Sequence, residues 1–340
     1  MNVLAVEGSQ LAAALDRLLE VEPELPYANF QPIASRRGAA AALHRELWTN
    51  PAAGLAWVAY EESGEPVAAV RAERREFESE HFGMEAFRLE PPIAVREGPR
   101  RLAALRALYS AAVDGLRSIG ARHVAARSST RDRSTPWALQ DNGFYHVDTQ
   151  VSWMCALTGT PHDEALPPNL HLEVHDRTTI RTIPSAAWRR LAEWAGTAFD
   201  RGPFVFDHTV PYEQACRIYQ VWTAKMMGGE WADAVLLVRT EDEVVAYISM
   251  LELPEVSAAS GLRVFGRGLG ATLPGYRGLF TAIQREMIAR RPLGADFMEN
   301  ETQVATIGSI NVYAKLGFRY LRSTATFHLN LAAAMRPPSR

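Results

Sequence analysis

The feature that most constrains the fold of this chain is a weak internal repeat. The phrase LQDNGFYHVDT at residues 139–149 aligns with YAKLGFRYLRS at 313–323, and the same order of strands and helices precedes both phrases. A period of about half the chain predicts two tandem copies of one α/β unit. The length of 340 residues also favours two domains, since a single core stops growing at roughly 250–300 residues.

A proline-containing polar segment separates the two halves. It reads TGTPHDEALPPNLHLEVHD and covers residues 158–176. Prolines among polar residues between two regularly patterned regions are typical of a linker. We therefore expect an N-terminal domain at 1–157, a linker at 158–176 and a C-terminal domain at 177–340.

The composition excludes several classes of protein. The chain is 47% hydrophobic and 22% charged, as soluble globular proteins are, and its net charge of −3 offers no basic surface to a nucleic-acid backbone. No apolar run approaches about 18 residues, so no membrane span is predicted. The N-terminus lacks the basic and apolar regions of a signal peptide. We expect a cytoplasmic protein without nucleic-acid or membrane partners, and a homodimer is left open.

The residue types that bind metals or form disulfides are sparse. Cys155 and Cys216 have no CxxC partner, which argues against a disulfide framework or a zinc knuckle. His171 and His175 are four residues apart but lack an HExxH motif, so no metal site is predicted. All but two of the 36 basic residues are arginines, which suggests a GC-rich bacterial genome.

Two glycine-bearing loops follow one another in the stretch VFGRGLGATLPGYRGLF at 264–280. A phosphate-binding turn has to open a helix, whose first N–H groups are free and whose dipole is positive there. Residues 266–270 lead to strand-like residues and Pro274, whereas residues 275–278 lead directly into the amphipathic pattern LFTAIQREMIARR. We therefore assign PGYRG as the phosphate turn. The first loop is expected to be a bulged strand that another group approaches closely.

Nucleotide motifs with other chemistry do not fit this region. The turn has no GK[ST] sequence, and no GxGxxG motif with an acidic residue about twenty positions later is present. ATP and NAD are therefore disfavoured as ligands. The phosphate must belong to another kind of molecule.

The stretches GATLPGYRGLFTAI (270–283) and ETQVATIGSINVYAKLGFRYLRS (301–323) resemble the GCN5-related N-acetyltransferase (GNAT) superfamily. That family binds acetyl-CoA with a V-x-P-x-Y-R-G turn and carries a later N-x-x-A-x-x-x-Y-x-x-L-G-F phrase. The resemblance implies tandem GNAT folds of the α/β class. Each would be a mixed, mostly antiparallel sheet flanked by helices, with a degenerate N-terminal copy.

Two departures from the family pattern concern the coenzyme. After Arg277 and Gly278 the family has a second glycine, whereas this chain continues Leu279-Phe280-Thr281. The family asparagine before the tyrosine is Thr306 here. The resemblance implies acetyl-CoA as co-substrate, and these residues would contact it: Ala271, Thr272, Leu273, Arg277, Gly278, Leu279, Phe280, Thr281 and Thr306.

Within the superfamily, the chain looks most similar to the two-domain type of the TDP-fucosamine acetyltransferases. The similarity rests on ESEHFGMEAFRL at 78–89 and FDRGPFVFDHTVPYEQACRIYQVW at 199–222. It implies an N-acetyltransferase acting on a small-molecule primary amine, most plausibly a nucleotide-linked amino sugar. An aromatic and arginine cluster suits a stacked base or sugar. Its members would be Arg201, Phe204, Phe206, Tyr219 and Trp222.

The resemblance also implies catalytic roles. Tyr313 corresponds to the family tyrosine that acts as general acid toward the coenzyme thiolate. Asp148, four residues after Phe144, takes the place of the acidic base of the two-domain type. Glu252 is the alternative base, and Glu301 is a third candidate. The other readings left open are an acetyltransferase of an antibiotic, a polyamine or a protein α-amine, and a non-catalytic tandem module that binds CoA or a metabolite.

Overall fold

The computed structural model of the chain describes residues 1–20, 25, 27–36, 38–49, 54–95, 98–160, 166–266 and 268–331. They form two compact units. Unit 1 contains the described residues up to Gln150 and those from Arg322 onward, and unit 2 runs from Val151 to Leu321. No helix within these described ranges has both the length and the apolar character needed to cross a membrane.

Unit 1 begins with a strand and three helices and continues as a sheet with further helices. Its elements are β1 (Asn2–Val6), α1 (Gly8–Glu20), α2 (Gln31–Ala34), α3 (Ala39–Thr49), β2 (Leu55–Tyr60), β3 (Pro66–Arg74), α4 (Glu76–Phe82), β4 (Ala86–Leu89), β5 (Ile93–Ala94), α5 (Pro99–Ser118), β6 (His123–Ser129), α6 (Ser134–Asp141) and the first part of β7 (Tyr145–Ala156).

Unit 1 has a mixed sheet with α5 packed on one face. The strand order is β1-β2-β3-β4-β6-β14, in which only the β4–β6 pair is parallel among these described strands. Leu105, Leu108 and Leu116 recur at helical spacing along α5 and are fully buried against this sheet. The helix ends just before Gly120, whose φ of 88° is the left-handed value that favours glycine at a helix terminus.

Unit 2 repeats this arrangement with a different set of leading helices. Its elements are the second part of β7, β8 (His171–Asp176), α7 (Ser185–Ala198), α8 (Pro203–Phe206), α9 (Tyr212–Met227), β9 (Ala234–Arg239), β10 (Val244–Glu252), α10 (Pro254–Ser260), β11 (Val264–Gly266), β12 (Gly270–Thr272), α11 (Leu279–Arg290), β13 (Phe297–Gln303), α12 (Ile307–Lys315) and the first part of β14 (Arg319–Asn330).

The sheet of unit 2 has the order β7-β13-β11-β10-β9-β8, with β12 paired to β10 beside β11. The β11–β13 pair is parallel, and the β8–β9, β9–β10, β10–β11 and β10–β12 pairs are antiparallel. Strands β9 and β10 are the centre of the core, because nearly every side chain along both is buried. A strand that is buried on both faces reads as a continuous apolar run, as AVLLV does here.

The repeat seen in the sequence is a repeated helix-to-strand turn. Gly143 after α6 and Gly317 after α12 have φ values of 84° and 79°. In both turns the following phenylalanine donates its N–H back to the helix, to the carbonyl of Leu139 at 3.1 Å in unit 1 and to that of Tyr313 at 3.0 Å in unit 2. Unit 1 therefore has a leucine where unit 2 has the phenol, as expected of a degenerate copy.

Two elements differ from the sequence-based expectations. Residues 171–176, expected to belong to the linker, form β8 and pair along their length with β9. Residues 254–260 form the short helix α10, which was not predicted and which starts at Pro254, a residue that suits the first turn of a helix. Part of the expected linker, residues 161–165, lies outside the described residues.

Candidate functional site

Unit 2 contains an opening in its sheet where the chain leaves strand β11, the parallel neighbour of β13, and continues as β12. Strand β11 pairs with β13 at two positions, Val264 with Phe297 and Phe265 with Met298. The chain then continues as β12, which among the described strands pairs with β10 alone. We call the opening between β12 and the second half of β13 the strand gap. Its edge on β12 carries backbone groups without a ladder partner.

The alternation of a β-ladder decides which backbone groups face the strand gap. Leu273 donates its N–H to Val245 on β10 at 2.8 Å, so its amide is already used. Groups alternate between the two sides of a strand, and Thr272 therefore directs its N–H and C=O away from β10. Its carbonyl accepts a hydrogen bond from the indole of Trp194 on α7 at 3.0 Å. Its hydroxyl is buried and has no partner within the described part of the chain.

The glycine segment before β12 is a close backbone approach, and this prediction is confirmed. A side chain at Gly268 would overlap the backbone oxygen of Ser249. Ser249 and Leu269 are joined by three hydrogen bonds: the Ser249 N–H to the Leu269 carbonyl at 2.8 Å, the Ser249 hydroxyl to the same carbonyl at 3.0 Å, and the Leu269 N–H to Ser249 Oγ at 2.8 Å. This arrangement sets the path of β12 away from β13.

The assigned phosphate turn opens helix α11. Gly278 has a φ of 81° and precedes the helix without a side-chain cap. A side chain at Gly275 or Gly278 would meet no atom within 4 Å, so the turn is open on its outer side. Arg277 is exposed and has no hydrogen-bond or ion-pair partner among the described residues. The Leu279 N–H donates to the Tyr276 carbonyl at 3.3 Å, which leaves the N–H groups of Gly278, Phe280 and Thr281 for an anion. With the nearby guanidinium they form a site suited to a diphosphate.

Residues Leu279 to Thr281 begin α11 where the family has its second glycine. Leu279 is buried and anchors the helix in the core. The Phe280 ring lies beside Gly270, and its centroid is 6.3 Å from that of Tyr313. The start of α11, the edge of β12 and the tyrosine of α12 therefore come together at one place. The side chains of Ala271 and Leu273 are instead buried in the core, and the alternation of the ladder directs their backbone groups to β10.

Tyr313 is a buried phenol in an aromatic cluster. It is 5% exposed, and its ring centroid lies 5.1 Å from that of Phe318 and 6.4 Å from that of Trp153. Burial raises the pKa of Tyr313, so the phenol stays protonated at neutral pH. No described residue forms a hydrogen bond with its hydroxyl. A neutral phenol in this state is able to donate a proton.

The carboxylates considered as bases lie in three different surroundings. Glu301 is on the second half of β13, and Ser152 donates a hydrogen bond to its carboxylate at 2.9 Å. Ser152 precedes Trp153, which contacts Tyr313. Glu252 instead lies where β10 pairs with β11, at the closed end of the strand gap, and forms an ion pair with Arg263 at 2.7 Å. The Glu252 carboxylate therefore already has a cationic partner.

Asp148 lies on the part of β7 that belongs to unit 1. It is 4% exposed, and its Oδ2 atom is buried without a hydrogen-bond partner among the described residues. Burial raises the pKa of Asp148 to about 6, while the charge of Arg127 acts to lower it. A carboxyl group with this pKa is partly protonated just below neutral pH.

The predicted acceptor residues fall into two groups. Tyr219 stacks on Phe199 at 5.0 Å and on Trp222 at 6.2 Å, and its hydroxyl fills the space beside Gly202. Tyr219 on α9 therefore packs against the end of α7 and the start of α8, and Trp222 packs on Tyr219 and Trp231. The predicted role of direct acceptor contact suits them less than this packing role.

The other predicted acceptor residues are closer to solvent. Phe206 is 45% exposed and Phe204 is half-buried, both on α8. Arg201 donates a hydrogen bond to the carbonyl of Ala305, the residue before Thr306. Thr306 is the N-cap residue of α12, and its side chain caps no amide of that helix. Arg201 and Thr306 thus lie together at the start of the helix that carries Tyr313.

Three residues of this region were missed from the sequence: Ser152, Trp153 and Trp194. Trp153 and Trp194 occur in apolar patterns that predict core, and the pattern alone carries no sign of their polar atoms. The indole N–H of Trp153 is buried without a described partner, and that of Trp194 binds the edge of β12. Buried polar atoms are costly to leave unpaired, so such a donor indicates a place for a bound group.

Unit 1 has the corresponding strand arrangement but closes it internally. Strand β4 pairs with β6, and β5 pairs with β3 alone among the described strands. Arg101 in the first turn of α5 donates to the carbonyls of Ala94 and Val95 at 3.2 and 2.7 Å, and to the carboxylate of Asp132 at 2.5 Å. Its side chain and that of Asp132 are nearly buried. An internal guanidinium therefore occupies the helix start that is open in unit 2.

Comparison with known proteins finds similarity in structure. No protein-family model matches the sequence, and no curated protein matches it. A GCN5-related N-acetyltransferase from Sphaerobacter thermophilus is similar over 96% of this chain and 95% of that one, with 14% identity and a TM-score of 0.57. A tandem GNAT protein from the clavulanic acid biosynthesis pathway is similar over 100% and 99%, with 14% identity and a TM-score of 0.51.

A third similar structure is a glucosamine N-acetyltransferase region in a fungal multi-domain GH3 β-N-acetylglucosaminidase. The similarity covers 96% of this chain but 38% of that protein, with 14% identity and a TM-score of 0.52. At this level of identity the three structures define the fold. The predicted fold class of tandem GNAT folds, with mixed and mostly antiparallel sheets flanked by helices, is confirmed.

Proposed function

We propose that unit 2 binds acetyl-CoA and transfers its acetyl group to the primary amine of a small molecule. One observation carries the proposal: the strand gap, the uncapped start of α11 and a buried neutral phenol occur together in one unit. An ordinary β-turn-α connection requires none of the three together. Acetyl-CoA would supply the activated acyl group as its thioester.

The residues present fit such a co-substrate. The N–H groups of Gly278, Phe280 and Thr281 and the guanidinium of Arg277 would hold the diphosphate, since the Leu279 N–H is already bonded to Tyr276. The free edge of β12 at Thr272 offers a backbone N–H to the acyl carbonyl, and a donor at that position is worth a few kcal/mol in the transition state, about 2.7–4 in measured cases. Tyr313 would give its proton to the departing thiolate.

For the base that takes the proton of the amine, we propose Glu301. Two carboxylates lie on β13, which borders the strand gap, and Glu301 is the exposed one whereas Glu299 is 3% exposed. Ser152 donates to the Glu301 carboxylate and precedes Trp153, whose ring contacts that of Tyr313. The resemblance instead favours Asp148, and its elevated pKa suits a base. Comparing Glu301→Gln with Asp148→Asn in a kcat profile against pH assigns the role to the variant that removes the acidic limb.

For the acceptor, we propose an amino sugar, most plausibly nucleotide-linked. One support is the resemblance to the TDP-fucosamine type. The other is a pair of exposed side chains, the aromatic ring of Phe206 on α8 and the guanidinium of Arg201 just before that helix. One of the similar structures is named for glucosamine N-acetylation. Arginine near the site makes a polycationic antibiotic or polyamine a weaker candidate.

A non-catalytic module that binds CoA is the second candidate. It is favoured by one observation, the bulky Phe280 where the family has a glycine. Binding of acetyl-CoA is tested by calorimetry, and transfer is tested by release of free thiol on addition of amines. The amines are glucosamine, TDP-linked 4-amino-4,6-dideoxyhexoses, spermidine and a peptide with a free α-amine.

The outcomes of these two assays distinguish the candidate functions. Amine-dependent thiol release with a TDP-linked or simple amino sugar supports the proposed acceptor class, whereas release with spermidine or the peptide alone replaces it. Binding without release by any amine supports the non-catalytic module. Absence of acetyl-CoA binding at millimolar concentration contradicts both candidates.

A further inference from the structure

Unit 1 has a row of polar side chains on one face of its sheet. The backbone carbonyl of Arg71 on β3 accepts a hydrogen bond from the N–H of Glu90 at 2.9 Å. Glu90 directly follows β4. Strand β4 ends with Leu89 opposite Ala126 of β6, and Arg127 of β6 lies opposite Thr326 of β14. We call Arg71, Glu90, Arg127 and Thr326 the polar row.

The polar row lies on the face of the sheet opposite to the α5 core. Leu89, Ala126 and Phe327, each next in sequence to a member of the row, are buried in the core that includes α5. Successive side chains of a strand point to opposite faces, so the row faces the other way. Ala69, two residues before Arg71, packs there with the apolar residues of α1. The polar row therefore lies on the face of the sheet that α1 covers.

Several polar atoms of this face are buried without a partner among the described residues. They belong to His44 (both ring nitrogens), Arg71 (Nε), Asp148 (Oδ2), Gln150 (Oε1) and Thr326 (Oγ1). His44 is 7% exposed, Asp148 4% and Thr326 4%. Such atoms are few in folded proteins, and each costs roughly 1–3 kcal/mol when unpaired.

Electrostatic interactions connect these groups into one cluster. His44 interacts with the charges of Glu90, Arg322 and Arg71, and burial lowers its pKa to about 4. Asp148 interacts with Arg127. The imidazole is therefore neutral at pH 7, with one nitrogen as donor and the other as acceptor.

The ion pairs of the cluster leave one guanidinium donor for an anion. Arg88 on β4 pairs with Glu90 at 2.5 Å and with Glu73 at 3.1 Å, so both carboxylates already have a cation. Burial acts to raise the pKa of Glu90, but the guanidinium groups of Arg88, Arg127 and Arg71 together lower it, and the carboxylate stays ionised. Asp148 is a third carboxyl group, and it interacts with Arg127. The buried Arg71 Nε atom has no hydrogen-bond partner among the described residues, so this donor is available to an anion.

We propose that the polar row is one wall of a ligand site in unit 1 for a small molecule that carries an anionic group beside hydroxyl or amino groups. The guanidinium of Arg71 would meet the anionic group. Thr326 and His44 each offer both a donor and an acceptor, and Asp148 and Gln150 offer acceptors, so the ligand has to donate as well as accept.

Every residue of this site belongs to unit 1, and Asp148 is also the base that the resemblance favours for acetyl transfer, so the test below changes Thr326 instead. An amino acid, with its carboxylate and ammonium, and a sugar phosphate, with its phosphate and hydroxyls, both have the required chemistry. The alternative to a bound ligand is a set of buried waters, which also bridge unpaired groups in protein interiors.

The test uses the full chain and two panels of probes, the common L-α-amino acids and the 6-phosphates of glucose, glucosamine and fructose. Binding is measured by calorimetry for the wild type and for Thr326→Val, which removes the hydroxyl at nearly constant volume. Thr326→Ser keeps the hydroxyl. Thr149→Val makes the same change on β7 at the residue after Asp148, which points to the other face of the strand.

We expect a member of one panel to bind, Thr326→Val to weaken it about tenfold, as the loss of one hydrogen bond to a ligand would, and the two other variants to stay within about twofold. The panel that contains the binder identifies its source. A crystal structure of the unliganded protein is the second measurement. Density larger than water between His44, Asp148 and Thr326 supports the site.

Two results overturn the proposal. One is binding that Thr326→Val leaves unchanged, because the ligand then lies elsewhere. The other is no binding from either panel together with density for ordered waters alone beside His44, Asp148 and Thr326. Neither result bears on acetyl-CoA binding by unit 2, which is measured separately on the same samples.

Discussion

The close approach at Gly268 leads to a prediction about stability. In Gly268→Ala the added methyl would overlap the backbone oxygen of Ser249, and backbone cannot move aside as a flexible side chain can. The strand has to separate, and the three hydrogen bonds between Ser249 and Leu269 are lost or weakened. At about 1 kcal/mol for each bond, unfolding becomes easier by about 2–4 kcal/mol.

Urea unfolding followed by circular dichroism measures the change through the midpoint and slope, and hydrogen exchange of the Ser249 amide reports it locally. The control is Gly308→Ala in the first turn of α12, where a side chain would meet no atom within 4 Å. Alanine is the better helix former, so this variant should equal or exceed the wild type by up to about 1 kcal/mol. Equal stability of the two variants, with Ser249 exchange unchanged, would refute the reasoning.

Three further predictions concern catalysis and pH. Tyr313→Phe should lower kcat about 100-fold or more with little change in the KM for acetyl-CoA, in a thiol-release assay; a change in KM alone would contradict the role of proton donor. Arg277→Ala should raise the KM for acetyl-CoA about tenfold at nearly constant kcat, and a matched change at exposed Arg319 should do neither. The pKa of Asp148 is raised in the folded protein to about 6 from an ordinary value of 3.8, so folding takes up a proton between these values and stability contributed by this group falls as pH rises through that window. Asp148→Asn should therefore remove an unfolding free-energy difference on the order of 2 kcal/mol between pH 4 and pH 6.5, measured by urea titration at each pH; an unchanged difference would mean that the carboxyl is not desolvated.

The parts of the fold that local chemistry determines could be predicted from the sequence. The turn at Gly317, the start of α11 after Gly278 and the close approach at Gly268 all depend on glycine, because the backbone there has a positive φ or touches another strand. Local sequence patterns alone therefore predict these positions. The repeat was visible for the same reason, since the turn before β7 uses the same residue types.

The elements that were not predicted depend on distant partners. Strand β8 is a partly exposed edge strand beside a proline-containing segment, and only its pairing with β9, over sixty residues later, makes it a strand. Helix α10 has seven residues, which is too short for an apolar period to be recognised. Neither has a local signal strong enough to outweigh the flanking pattern.

The candidate site shows the same limit at the level of side chains. Tyr219 and Trp222 have the composition of an acceptor pocket, and the structure shows that Tyr219 also stacks on Phe199 and Trp222 on Tyr219. Glu252 is a predicted base, and its ion pair with Arg263 at 2.7 Å is a contact that the sequence does not show. A sequence reveals that an aromatic or acidic residue is present, whereas its neighbours depend on how strands far apart in the chain are paired.

The way the described units divide the chain has a consequence for biosynthesis. Residues 324–330 of β14 form a seven-residue antiparallel ladder with β6, and both segments belong to unit 1. A ribosome translates 151–321 before that strand exists, so the first unit to be started is the last to be completed. Until the final segment emerges, one edge of β6 has unpaired backbone N–H and C=O groups. A chaperone or the growing second half must keep that edge from pairing with another polypeptide.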